Sequence, residues 1–172
     1  MTDGDTTIVA GIVIPSTSPI FLTIVAFHVM LGTFCVVTGI VAMLSPKRPG
    51  RHPTFGSLYF WSLALVFLSA SVLSFVRWNE DFHLFILGLL GFGAAILARE
   101  AVRRRPRHWA KMHLIGMGAS YIFLLTAFYV DNGKSLPLWK ELPSLAYWIV
   151  PAAFGVPLIA RALLRHPLAR RF

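Results

Sequence analysis

Charge is what this chain has least of. Only 13% of its 172 residues are charged, 56% are hydrophobic and the mean hydropathy is +0.70. Soluble domains carry about 25% charged residues, so these values exclude one and specify an integral membrane protein. Cysteine is nearly absent. The single thiol, Cys35, falls in the middle of an apolar run, which rules out a disulfide framework and a thiolate metal site. No carboxylate lies deep inside an apolar span, which argues against a proton-coupled transporter, since that function ordinarily buries one. His-x-x-x-His and Glu-x-x-His pairings are missing from every span, so zinc or copper would lack the helical spacing that supplies several protein ligands. Internal repeats and low-complexity stretches are lacking as well, and the chain reads as one domain.

The formal net charge of +9 invites a nucleic-acid reading. Its distribution removes that reading, because the basic residues sit in short loops between apolar runs, where membrane topology accounts for them. Five runs reach the roughly 20 residues a bilayer crossing needs: 23–44, 56–76, 82–102, 111–130 and 144–164. The expected fold is an all-α membrane domain over 23–164. Short connections make consecutive helices antiparallel, the first four as an up-down-up-down bundle. Pro151 and Pro157 predict a bend in the fifth.

Residues 1–22 form a separate outer segment. It holds Asp3 and Asp5 but no Lys or Arg before Pro19, unlike the start of a cleaved signal peptide, and its run Ile8–Ile14 is too short to cross. One side of the spans collects Lys47, Arg48, Arg51, Arg99, Arg103, Arg104, Arg105, Arg107, Lys111 and the Arg residues of the tail, against Glu100 alone. The other holds Arg77, Lys134 and Lys140 against six acids. Cytoplasmic loops carry the excess of Lys and Arg, so the N-terminus is expected outside and the basic tail, 165–172, in the cytoplasm of a cell whose plasma (inner) membrane holds the protein.

Histidine is where function is legible. His28 lies inside the first span, on a face continued by Gly32, Cys35 and Gly39, and an ionisable group there is costly enough to be a functional hypothesis by default. His83 opens the third span on the same side. His113 opens the fourth on the other side, where His52 and His108 also lie. In a four-helix bundle, His28 with His83 and His52 with His113 fall on two diagonals at two depths, the placement that two stacked b-type haems require. Imidazole suits iron, and an apolar sleeve keeps the macrocycle dry. Gly91 and Ala94 below His83, with Gly116, Met117 and Ser120 on the face of His113, offer small surfaces to a flat group. Arg48, Arg51, Arg107 and Lys111 are the expected propionate partners on the basic side, and Arg77 on the other. A structural hydrogen bond to Thr126 or Tyr121 is the competing account of His28.

Three stretches carry a resemblance: His28-Val29-Met30-Leu31-Gly32, His52-Pro53-Thr54-Phe55-Gly56-Ser57-Leu58-Tyr59 and Arg107-His108-Trp109-Ala110-Lys111-Met112. They look like a bacterial family of small multi-span membrane proteins of mostly unassigned function, over roughly 23–130. The diagonal histidines also resemble, in architecture, the transmembrane di-haem b-type cytochromes, which pass electrons from ascorbate or a quinol across a membrane. That similarity implies one or two haem b groups, a quinol or other small-molecule reductant as donor, and electron-transfer oxidoreductase activity. In those cytochromes the ligands lie within helices, whereas His52 is expected in a loop. The alternative is a non-redox membrane protein that binds Zn, Cu or lipid and uses its histidines structurally.

Overall fold

The computed structural model describes residues 7–9, 12–14 and 18–165. The short apolar run near the start is paired rather than helical. Strands β1 (Thr7–Val9) and β2 (Ile12–Ile14) lie antiparallel, with Thr7 opposite Ile14 and Val9 opposite Ile12. Five long helices follow: α1 (Pro19–Leu44), α2 (Arg51–Val76), α3 (Trp78–Arg104), α4 (Trp109–Asn132) and α5 (Ser144–Arg165). Two short 3-10 turns, Gly133–Ser135 and Trp139–Glu141, separate the last two. The shortest, α5, has 22 residues and spans about 33 Å at 1.5 Å per residue, enough for a hydrocarbon core of about 30 Å. All five are long and apolar enough to cross a bilayer. The molecule is a multi-pass membrane protein.

Several helices begin sooner than their apolar cores. α1 starts at Pro19 rather than Thr23, α2 at Arg51 rather than Gly56 and α3 at Trp78 rather than Phe82. Local chemistry explains each start. Pro19 follows Ser18 at the first helical position, where a missing N–H costs nothing. Gly50 takes φ 114° before Arg51, a conformation a side chain would resist, and Pro53 spends its missing N–H in the first turn. Glu80 and Asp81 occupy the first turn of α3, favoured by the helix dipole. His52 therefore lies inside a helix and not in a loop, which corrects the expectation drawn from the apolar run. Pro151 and Pro157 are both inside the continuous α5.

Contacts divide the chain into two compact units, Met1–Phe85 and Ile86–Phe172. In the first, α1 and α2 form an antiparallel hairpin. Cys35, Thr38, Gly39 and Ala42 of α1 are buried, as are Tyr59, Ser62, Leu63, Val66 and Ser69 of α2. Apart from Leu63 and Val66, these are small or hydroxylated residues, the kind that lets helices approach in lipid, where apolar surface alone gives no drive to associate. The hydroxyls are satisfied locally. Thr38, Ser62 and Ser69 each donate to a carbonyl of their own helix.

In the second unit, α4 packs antiparallel on both α3 and α5. A Cβ on Gly116 would lie 2.8 Å from the Ala94 carbonyl oxygen and 2.8 Å from the Ala98 Cβ, so only glycine allows this approach. Toward α5 the fit is reciprocal. Ile159 fills the space over Gly118, and Ile122 fills the space over Gly155.

Candidate functional site

His28 is half-buried, and its Nδ1 lies 2.8 Å from Ser69 Oγ on α2. The direction of this bond can be deduced. Ser69 Oγ sits 2.9 Å from the Leu65 carbonyl and 3.0 Å from that of Val66, so its one proton is committed to its own helix. The hydroxyl is then placed to accept from the ring, the arrangement with the hydrogen on Nδ1 and the lone pair on Nε2. Sequence reasoning looked for this partner at Thr126 or Tyr121. The signal that finds Ser69 is hairpin arithmetic: a short turn at 45–50 makes α1 and α2 antiparallel neighbours, which sets position 28 against the upper part of α2.

The face below His28 has two parts. Cys35, the next small residue but one, is fully buried, its Sγ 3.7 Å from the Tyr59 carbonyl oxygen. Gly32, one turn from His28, has no neighbouring atom within 4 Å of where a Cβ would be. The lower stripe is a helix contact, and the upper part is open.

His83 belongs to the same unit. Phe67 meets Phe85 at a ring separation of 5.9 Å, and Phe75 stacks on Trp78 at 5.5 Å. Phe85 also meets Phe75, at 5.7 Å, so it faces α2 between Phe67 and Phe75. The tight turn at Arg77 makes α2 and α3 antiparallel neighbours, which puts His83 toward the same end of α2 as Ser69, the residue that holds His28. Around the axis of α3, two residues turn about 200°, so His83 is on the face of Leu87 and away from that of Phe85. Arg77 does not present a lone cation here. Its guanidinium is held by Glu80 and by Asp81, the latter at 3.4 Å.

At the other end of the hairpin, His52 Nδ1 lies 2.8 Å from the Ala42 carbonyl oxygen. Lys47 Nζ reaches the carbonyls of Ala42 at 3.1 Å and Met43 at 2.7 Å, while Ser45 donates to Val41. These are terminal carbonyls of α1, which have no partner within their helix. His52, Lys47 and Ser45 together cap the negative end of that helix dipole. Partial burial pushes the Lys47 ammonium below its usual range. Lys47 and Ser45 were not singled out by the sequence reading.

His113, in the second unit, follows the same logic. Its Nδ1 is 3.3 Å from the Ala98 carbonyl oxygen, and Gly116, one turn on, sits against Ala98. Gly91 is likewise filled, with Phe123 Cβ at 3.2 Å from its would-be Cβ. The surfaces expected to receive a macrocycle at Gly91, Ala94 and Gly116 are instead the α3–α4 contact. Carbonyls only accept, so His52 and His113 too carry their hydrogen on Nδ1. Arg48 and Arg51 are exposed beside the α1–α2 turn, Arg107 is exposed between α3 and α4, and Lys111 is half-buried in the first turn of α4. His108 is exposed immediately before α4, and His166 lies outside the described residues. Among the described residues no group of three or more His, Cys, Asp or Glu could hold a metal ion.

Fold and site together define a multi-pass membrane protein with histidines bridging paired helices. No protein-family model, curated protein or solved structure matches the chain.

Proposed function

We propose that the protein is a membrane-embedded b-type haem protein that carries electrons, with His28 and His83 as the residues that would hold one haem. The observation that carries this reading is the hydrogen bond of His28 to Ser69. Ser69 holds its Nδ1–H and leaves the basic nitrogen at Nε2, the arrangement in which an iron ligand is oriented by a hydrogen bond on its far nitrogen. His83 lies toward the same end of α2, on the side of α3 turned away from Phe85, and Gly32 leaves the face beside His28 open. Haem supplies the one-electron chemistry; the chain supplies ligands and an apolar surround. A quinol or other small-molecule reductant is the proposed donor.

The charge asymmetry supports an N-terminus outside, a cytoplasmic C-terminus and an up-down order of spans in the plasma membrane, so that the His28 level lies nearer the outer face. The inner pair, His52 with His113, is assigned structure rather than iron, since His52 caps α1 and the stripe beside His113 is closed. Substitution tests the pairing. His28→Ala and His83→Ala each remove the haem absorption, while His166→Ala leaves it. A spectrum that survives His83→Ala overturns the pair.

A second reading has its own support. His28, His52 and His113 each reach from one helix of a pair to the other, as interhelical hydrogen bonds do in membranes without any cofactor. On that reading the purified protein is colourless and every histidine substitution acts only on stability. Metal analysis of the colourless protein would then separate a Zn or Cu site from a purely structural role.

A further inference from the structure

The second unit contains a cleft unrelated to the histidines. It is an open groove of about 310 Å³ lined by Leu97, Glu100, Ala101, Arg104, Pro106 and Met112. Leu97, Ala101 and Arg104 recur at three- and four-residue spacing, so they form one stripe along α3. From Arg104 to Leu97 the stripe runs about 10 Å along the helix axis. Its apolar end is open to the surroundings: Leu97 is 67% exposed and Met112 46%.

The other end carries Arg104, and the sequence around it is rich in cations. Residues 99–111 carry Arg99, Arg103, Arg104, Arg105, Arg107 and Lys111 against Glu100 alone. Glu100 is already engaged, 2.9 Å from Arg104 Nε and 3.7 Å from Arg103 Nε. This pairing uses one of the five N–H donors that a guanidinium carries. The backbone adds a feature that topology alone does not require. Arg105 holds φ 48° and sets its guanidinium 5.4 Å from the centre of the Trp109 ring. A positive φ is strained for a residue with a long side chain, and here it turns the chain from α3 toward Pro106 at the edge of the cleft.

A cleft with an arginine at one end and an exposed apolar stripe at the other matches a phosphate joined to an acyl chain. We infer that this cleft binds an anionic glycerophospholipid, with the phosphate at Arg104, next in sequence to Arg105, and the chain against Leu97, Ala101 and Met112. Basic pockets between membrane helices are known to bind anionic headgroups in this way. The positive-inside rule explains an excess of arginine but not a furrow beneath it. This inference is independent of the haem.

Native mass spectrometry of the full chain, offered phosphatidylglycerol and phosphatidylcholine in equal amounts, tests it. Phosphatidylglycerol adducts exceed phosphatidylcholine adducts roughly tenfold or more in the native protein, and Arg104→Gln with Arg105→Gln removes that preference. Leu97→Trp fills the exposed end of the furrow without changing charge and lowers the adducts as well. Arg161→Gln with Arg165→Gln, on α5, leaves them unchanged. Equal loss from the α5 pair reduces the effect to general surface charge and overturns the site. So does undiminished binding to Leu97→Trp, equal retention of phosphatidylcholine, or displacement of the lipid by inorganic phosphate alone.

Discussion

Removing the Ser69 hydroxyl is the sharpest perturbation of the histidine geometry. Ser69→Ala deletes the side-chain acceptor of the His28 Nδ1–H while leaving the ring in place. Two magnitudes bound the effect. Interhelical side-chain hydrogen bonds in membranes average about 0.6 kcal/mol by double-mutant cycle, with a maximum near 1.7, whereas an orphaned buried donor costs about 1–3 kcal/mol. Single Ser69→Ala protein should therefore lose about 1–3 kcal/mol. The coupling between Ser69→Ala and His28→Leu should be about 0.6–1.7 kcal/mol, because the double variant no longer leaves a donor stranded. Ser71→Ala is the matched control. Its hydroxyl donates to the Phe67 carbonyl of its own helix and its loss should fall within about 0.5 kcal/mol of zero. Chemical unfolding in detergent reads the native protein and all four variants. If Ser69→Ala and Ser71→Ala behave alike, or the coupling is zero, the His28–Ser69 bond does not hold the ring and the tautomer argument fails. In haem-loaded protein the same Ser69→Ala change should weaken haem retention about 10–100-fold, as loss of a ligand's outer hydrogen bond does at metal sites.

Glycines give a second contrast. Gly116→Ala meets backbone and Cβ atoms of α3 and should cost about 1–3 kcal/mol, whereas Gly93→Ala, with nothing within 4 Å, should gain about 0.5–1 kcal/mol; melting shifts of one sign for both would contradict the α3–α4 contact. Cys35 is fully buried, so a maleimide should leave the folded protein unlabelled and react fully once it is unfolded; rapid labelling of the folded form would refute the α1–α2 packing. Lys47 titrates below its unfolded value of about 10.4. The unfolded chain then holds the extra proton between the two values, and the stability due to Lys47 rises with pH across that interval. Subtracting the profile of Lys47→Met from that of the native protein should show this rise, and a fall would reverse the assignment.

The membrane class, the number of spans and their apolar cores could be read from the sequence because length and hydropathy suffice for them. Helix starts could not, since Pro19, Arg51 and Trp78 are polar-flanked or interfacial positions fixed by turn chemistry rather than by lipid. His28 stood out because an imidazole inside an apolar run needs a reason. Its partner did not, because Ser69 is an ordinary membrane serine until the α1–α2 register is known. The glycine stripes were the ambiguous element. A flat cofactor and a neighbouring helix both require small residues, and only the approach of Gly116 to Ala98 distinguishes them. His52 shows the same limit, since a cap on the Ala42 carbonyl and an iron ligand look identical as a histidine near a helix start.

Haem content measures the central claim most directly. The full chain, purified from haem-replete cells, should be red, with a Soret band that sharpens on dithionite reduction and about one haem per chain in place of two. Colourless protein from the same cells would contradict it and leave the histidines as hydrogen-bonding groups between helices.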